Sequence, residues 1–112
     1  MKYAVPVTKE VMSSHFGHCS HFALFDVDEQ TGVIINKEVV ASPGHEPGVL
    51  PAWLAEQGVS VVIAGGMGNR AQDIFQQNRI KVVVGAPSGD PEKIVVDFLN
   101  GSLTAGENLC DH

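Results

Sequence analysis

Two valine-rich apolar runs, Val59–Ala64 and Ile80–Val84, flank a glycine turn and a stretch of helical character. Apolar runs of this kind are typical of strands buried on both faces. Strands separated by helices pack into a sheet with the helices on its faces. Upstream, Lys2–Val7 reads as a first strand. Phe22–Val27 and Val33–Val40 read as a hairpin around the turn Asp28–Gly32. Helical spacing covers Val49–Gln57, stopped by Gly58, and about Asn69–Gln77. A third helix has Asp90 as cap and Pro91 at its first position, and runs to about Leu99 before Gly101. Thr8–His21 and Ala41–Gly48 are loops. The order strand, strand, strand, helix, strand, helix, strand, helix predicts an α/β fold with a mixed sheet flanked by helices. One domain over residues 1–112 is expected, with 100–112 as a C-terminal tail.

Composition narrows the function. A chain that is 44% hydrophobic and 18% charged suits an ordinary globule. Its net charge is −6 and its seven basic residues are scattered, which argues against a nucleic-acid partner, since phosphate contacts need clustered Lys and Arg. No apolar run approaches the roughly 20 residues that span a bilayer, and no basic end precedes an apolar stretch as in a secretion signal. The cytoplasm is therefore expected. Thiols stay reduced there, which favours metal or redox chemistry over a cystine for Cys19 and Cys110.

Three of the five histidines lie in His15-Phe16-Gly17-His18-Cys19-Ser20-His21, around one of two cysteines. The unit Cys19-Ser20-His21 recurs in kind as Cys110-Asp111-His112. Thiolate and imidazole are the donors that zinc, copper and iron–sulfur centres prefer. If the tail folds back, Cys19, His21, Cys110 and His112 form a Cys₂His₂ set, with His15, His18 and His45 as further candidates. In an extended segment His15, Cys19 and His21 share a face. In a helical turn His15, His18 and Cys19 face together instead. The spacing is not that of a zinc finger. Exposed polar histidines and a buried hydrophobic cysteine are the structural alternative.

Gly66-Met67-Gly68-Asn69-Arg70-Ala71 matches G-x-G-x-x-A between a strand and a helix. The acid that should follow about 20 residues on is missing, because Gly85-Ala86-Pro87-Ser88 stands there. A dinucleotide is therefore not expected. What remains is a turn whose backbone N–H groups, with Arg70, suit an anion. No acid lies in either valine-rich run, and there is no G-x-S-x-G elbow. Cys19 beside His18 and His21 is the one candidate for an activated thiolate.

These segments together resemble the nitrogenase iron–molybdenum cofactor biosynthesis family, with its NifX-like and NifB C-terminal domains and orange-protein-like stand-alone members. The resemblance rests on Tyr3-Ala4-Val5-Pro6-Val7, on Phe16-Gly17-His18-Cys19 leading into Phe22, on Ile63-Ala64-Gly65-Gly66-Met67-Gly68 followed by Ala71, and on Gly85. It implies a ribonuclease-H-like fold with a five-stranded mixed sheet and no nuclease activity. It also implies binding, carrying or protecting a metal–sulfur cluster, of iron–sulfur or molybdenum-containing type, rather than catalysis. His18 carries over most readily as a cluster contact, and His15, Cys19 and His21 fit the same loop. The role of Cys110 and His112 rests on their chemistry alone. Cluster-assembly proteins such as P-loop ATPases are the partners implied. Gly66, Gly68 and Arg70 would favour anionic cargo. Competing expectations are a zinc- or thiol-dependent enzyme centred on Cys19 and a metal-free interaction module.

Overall fold

The computed structural model describes residues 1–8, 11–12, 20–43, 49–86 and 89–101. Strand β1 (Lys2–Thr8) runs through the middle of the sheet. Strand β2 (Val11–Met12) folds back antiparallel on its end, through Val7↔Met12 and Thr8↔Val11. Strands β3 (His21–Val27) and β4 (Ile34–Ala41) form the expected hairpin, and β3 lies antiparallel to β1. Helix α1 (Val49–Glu56) precedes β5 (Val59–Ile63). Helix α2 (Asn69–Gln77) precedes β6 (Lys81–Val83), and helix α3 (Pro91–Leu99) follows. The main path is β4-β3-β1-β5-β6, with β1–β5 and β5–β6 parallel. The fold is therefore α/β, a five-strand mixed sheet with three helices and the two-residue β2 beside β1.

Pro6 lies in the central strand, fully buried, although proline cannot donate to a ladder. The register explains it. Met1 and Val27 exchange both backbone hydrogen bonds, at 3.0 and 2.8 Å. Such pairs alternate along an antiparallel ladder. The continuous register from Lys2↔Asp26 to Val7↔His21 then makes the odd residues of β1 bond to β3. Even residues aim their N–H at the opposite edge, so Pro6 lacks its donor on the β5 side. The β1–β5 pairs run only as far as Ala4↔Val62. Beyond them the sheet forks. Val7 already holds His21 on one edge, so β2 must occupy the other.

Alternation along the strands sends side chains to two cores. Ala4, Phe22, Leu24 and Val62 pack with Leu50, Leu54 and Phe75 beneath α1 and α2. Tyr3, Val5, Ala23, Phe25, Val61 and Ile63 pack with Ile94 and Val95 of α3. Helix α3 starts as its sequence predicts. The Asp90 side chain accepts from the Glu92 N–H at 3.1 Å, and Pro91 stands in the first turn. Among the described residues no helix is long and apolar enough to cross a membrane.

Three differences from the sequence reading have physical causes. The run Ile80–Val84 was expected to be buried on both faces, but β6 is an edge strand with Lys81 exposed and Val82 and Val83 half-buried. An apolar run reports the faces of a strand and not its neighbours. His21, expected in the loop, opens β3. Strand β2 falls inside the segment expected to be loop throughout, where two residues are too few to show a period. At the other edge, Asp26↔Asn36 is followed by Val27↔Ile34, which leaves Ile35 as an extra residue, 68% exposed.

Phe22→Ala removes a ring buried against Trp53, with centroids 5.7 Å apart. It should cost about 3–5 kcal/mol in urea unfolding, whereas Ile35→Thr should change stability by less than about 0.5 kcal/mol. Burial, and then the charge of Glu29, raise the Tyr3 phenol pKa above the usual value for tyrosine. The folded state thus holds this proton more tightly than the unfolded state. Stability from this source is fully present below about pH 10 and is lost as pH rises past it. Tyr3→Phe should flatten that alkaline decline, and an unchanged pH profile would refute the assignment.

Candidate functional site

In open α/β sheets, ligands sit outside the carboxyl ends of the parallel strands. Here that end carries the last residues of β1, the turn after β5 and the stretch after β6. Because β3 is antiparallel to β1, its first residue lies there too, opposite Val7. The start of α3 closes the same region, since Asp90 and Pro91 line a cavity with Val7 and His21.

His21 is the predicted metal-binding residue that falls within the described part of the chain. Its side chain is exposed, and its Nδ1 lies 2.9 Å from Ser20 Oγ. The Ser20 hydroxyl donates to the Val7 carbonyl at 3.2 Å, and the Ser20 N–H reaches that carbonyl at 3.1 Å. A serine has one hydroxyl proton. With that proton on Val7 O, Ser20 Oγ accepts and Nδ1–H donates. The imidazole is thereby held in the tautomer whose Nε2 lone pair is bare, the form a metal takes. This assignment comes from the hydrogen-bond network. Serine immediately before a histidine was the only sequence signal for it, and the sequence reading gave Ser20 no role.

Beside His21 a cavity of about 630 Å³ opens on the α3 face of the sheet. Val7, Ala23, Val39 and Pro91 supply apolar walls, and Ser20, Lys37 and Asp90 supply polar ones. The volume lies within the range of small-ligand sites. Lys37 Nζ approaches Glu92 Oε1 at 4.0 Å, with both side chains half exposed. Water and salt screen such a pair, so it holds the lysine only weakly. Lys37 and Val39 were read from sequence only as parts of a hairpin strand.

The glycine turn lies at the same end but leads to the opposite face, where α2 packs. Gly66 is buried, while Gly68 and Arg70 are exposed. Gly68 caps α2 with extended backbone and no side-chain hydrogen bond. The turn is tied to the strand after it, with Gly85 N–H donating to Gly65 O at 2.9 Å. Gln72 Nε2 holds the Met67 carbonyl at 2.9 Å. Strands β1 and β2 stand between this turn and His21, a lateral separation of roughly 10 Å or more at normal strand spacing.

His15, His18, Cys19, His45, Cys110 and His112 lie outside the described residues. Among the described residues no three His, Cys, Asp or Glu side chains converge as a metal site. His21 thus presents one bare donor atom beside a cavity of mixed lining, with one cation, Lys37, and one carboxylate, Asp90, on its wall.

Residues 1–101 match the family described as dinitrogenase iron–molybdenum cofactor. The chain is 32% identical over 108 residues to the uncharacterized protein MJ0580 of Methanocaldococcus jannaschii, covering 92% of this chain and 89% of that one. The crystal structure of PH0822 is similar at a TM-score of 0.85 and 30% identity, over 94% of both chains. The apo form of the orange protein from Desulfovibrio gigas is similar at a TM-score of 0.65 and 23% identity, over 96% of this chain and 93% of that one. At that identity the likeness concerns the fold alone.

Nitrogen-15 shifts of the His21 ring should show a protonated Nδ1 and a bare Nε2 at a pH where the ring is neutral. Ser20→Ala should mix the tautomers while costing about 1 kcal/mol or less in stability, because the hydrogen bond is only partly buried. A wild-type ring protonated on Nε2 would contradict the network.

Proposed function

The chain belongs to the dinitrogenase iron–molybdenum cofactor family, and we propose that it binds, carries or protects a metal–sulfur cluster, or a precursor of that cofactor, without catalysing a reaction. The observation that carries this reading is the His21 imidazole. Its Nδ1 is held by Ser20 and its Nε2 is available at the ligand-binding end of the sheet. In this reading His15, His18 and Cys19 add donors from the residues just before it, and Cys110 and His112 add donors from the tail. Imidazole nitrogen and thiolate sulfur suit iron, molybdenum and copper held with sulfide. Gly66, Gly68 and Arg70 favour anionic cargo from the other side of β1, through backbone N–H groups and a cation. The partners are cluster-assembly proteins such as P-loop ATPases, and the location is the cytoplasm. Residues 1–112 form one domain with 100–112 as its tail. The sheet is of the ribonuclease-H-like kind, a reading supported by its mixed order around a central β1.

Anaerobic purification from the native host, with metals, acid-labile sulfide and the visible spectrum measured together, tests the proposal. Iron, molybdenum or copper with sulfide is the expected result. His21→Ala or Cys19→Ser should then lower retention by about tenfold or more with no turnover lost. Zinc alone would replace the proposal with a mononuclear site or a zinc- or thiol-dependent enzyme at Cys19. Neither metal nor sulfide, even after reconstitution, would leave a metal-free interaction module.

A further inference from the structure

We infer that the cavity on the α3 face is the seat of the anionic metal–sulfur cargo, with Lys37 as its counter-cation and Val39 as its apolar wall. The inference rests on the cluster-carrier reading and adds to it a place and a charge partner. Three observations converge on this cavity. Its volume of about 630 Å³ accommodates a small cluster rather than a single ion. His21, the residue with a prepared donor atom, forms part of its lining. Val39 is 54% exposed although Val7 and Ala23 beside it are buried in the core. Val39 thus puts one open apolar side chain on the cavity wall, next to the buried Val7 and Ala23.

The chemistry of the wall selects among ligands. Apolar groups around a metal–sulfur centre exclude water and control its potential. Sulfide at the surface of such a cargo hydrates weakly and tolerates Val7, Ala23 and Val39. An oxyanion of the same charge needs several hydrogen-bond donors, and among the described lining side chains Lys37 is the donor left, since Ser20 and His21 direct their protons to the Val7 carbonyl and to Ser20 Oγ. Lys37 stands on the same face of β4 as Val39, opposite Phe25, and so over the cavity. Two carboxylates oppose the anion. Asp90 lines the cavity while its Oδ1 accepts the Glu92 N–H at 3.1 Å, and Glu92 competes for Lys37 at 4.0 Å. The seat thus has a sign pattern. Removing Lys37 weakens anion binding, and removing either carboxylate charge strengthens it.

The test uses the full chain, with tetrathiomolybdate as the sulfide-coated probe and molybdate as its oxo counterpart of equal charge. Tetrathiomolybdate should shift the backbone amides of Val7, His21, Ala23 and Val39, and molybdate should bind at least tenfold more weakly. K37Q should lower tetrathiomolybdate affinity about five- to tenfold, K37E should lower it further, and K37R should restore it. V39D should lower it by a similar factor. D90N, which keeps a competent helix cap, and E92Q should each raise it two- to threefold. Lys37 and Val39 are half exposed, so these variants should fold like the wild type. A wild type that retains metal and sulfide, with shifts confined to Gly66–Ala71 or with no response to K37E and V39D, overturns the seat alone. Equal binding of molybdate overturns the preference for sulfide. A wild type that retains no metal or sulfide and binds neither probe overturns the carrier reading and the seat with it.

Discussion

Pairing of β1 on both edges is the constraint on which the rest of the structure depends. Its odd residues bond to β3 and its even residues face β5, so one strand joins an antiparallel hairpin to a parallel pair. Pro6 limits that junction. By withholding a donor on the β5 side it coincides with the end of the parallel ladder and opens a fork at the carboxyl end. Strand β2 lies in that fork, and the connection from it returns to Ser20 beside Val7. The same proline that breaks the ladder therefore helps set where the histidine-bearing connection begins and ends.

Unequal covering of the two faces explains the cavity. Among the described residues, helices α1 and α2 share one face and α3 serves the other. Five strands at normal spacing are about 19 Å across, and one helix with its side chains is about 10–12 Å wide. Helix α3 packs over Tyr3, Val5, Phe25 and Ile63. Its first turn comes near β4, with Glu92 4.0 Å from Lys37, yet Val39 and Lys37 stay exposed while Val7 and Ala23 beneath them are buried. The uncovered stretch leaves a hollow of mixed lining at the end of the sheet that carries His21.

Most of the architecture was legible in the sequence because its signals are local. The cap Asp90 with Pro91, the turn Asp28–Gly32 and the valine run Val59–Ala64 each act within a few residues, and each element appeared within about one residue of its expected bounds. Neighbour relations were not legible. Burial of Ile80–Val84 depends on whether another strand lies beyond β6, and none is described there. Strand β2 depends on the fork at Pro6, which is a tertiary effect. The candidate site divided along the same line. His21 stood out as a donor type, and its tautomer became readable only when Ser20 and the Val7 carbonyl were in place. Lys37 and Val39 gave no signal, because alternation in an edge strand looks the same whether a face meets solvent or a ligand.

A carrier has to release what it holds, and the described geometry suits that requirement. Structural metal sites are closed, with four protein donors and no open position. Here the described wall offers one prepared imidazole, one weakly restrained cation and an apolar surface open on one side. The cation sits where water and salt screen it, so its contribution is modest and depends on ionic strength. Glu92 lies 4.0 Å from Lys37, with both side chains half exposed, so the lysine has a carboxylate beside it without cargo. In the tautomer assigned from the Ser20 network the Nε2 lone pair is already bare, so no proton has to move within the ring before a metal binds there. On the carrier reading, affinity is spread over several weak, separable contacts, and loss of any one of them would loosen the cargo without unfolding the sheet that presents it.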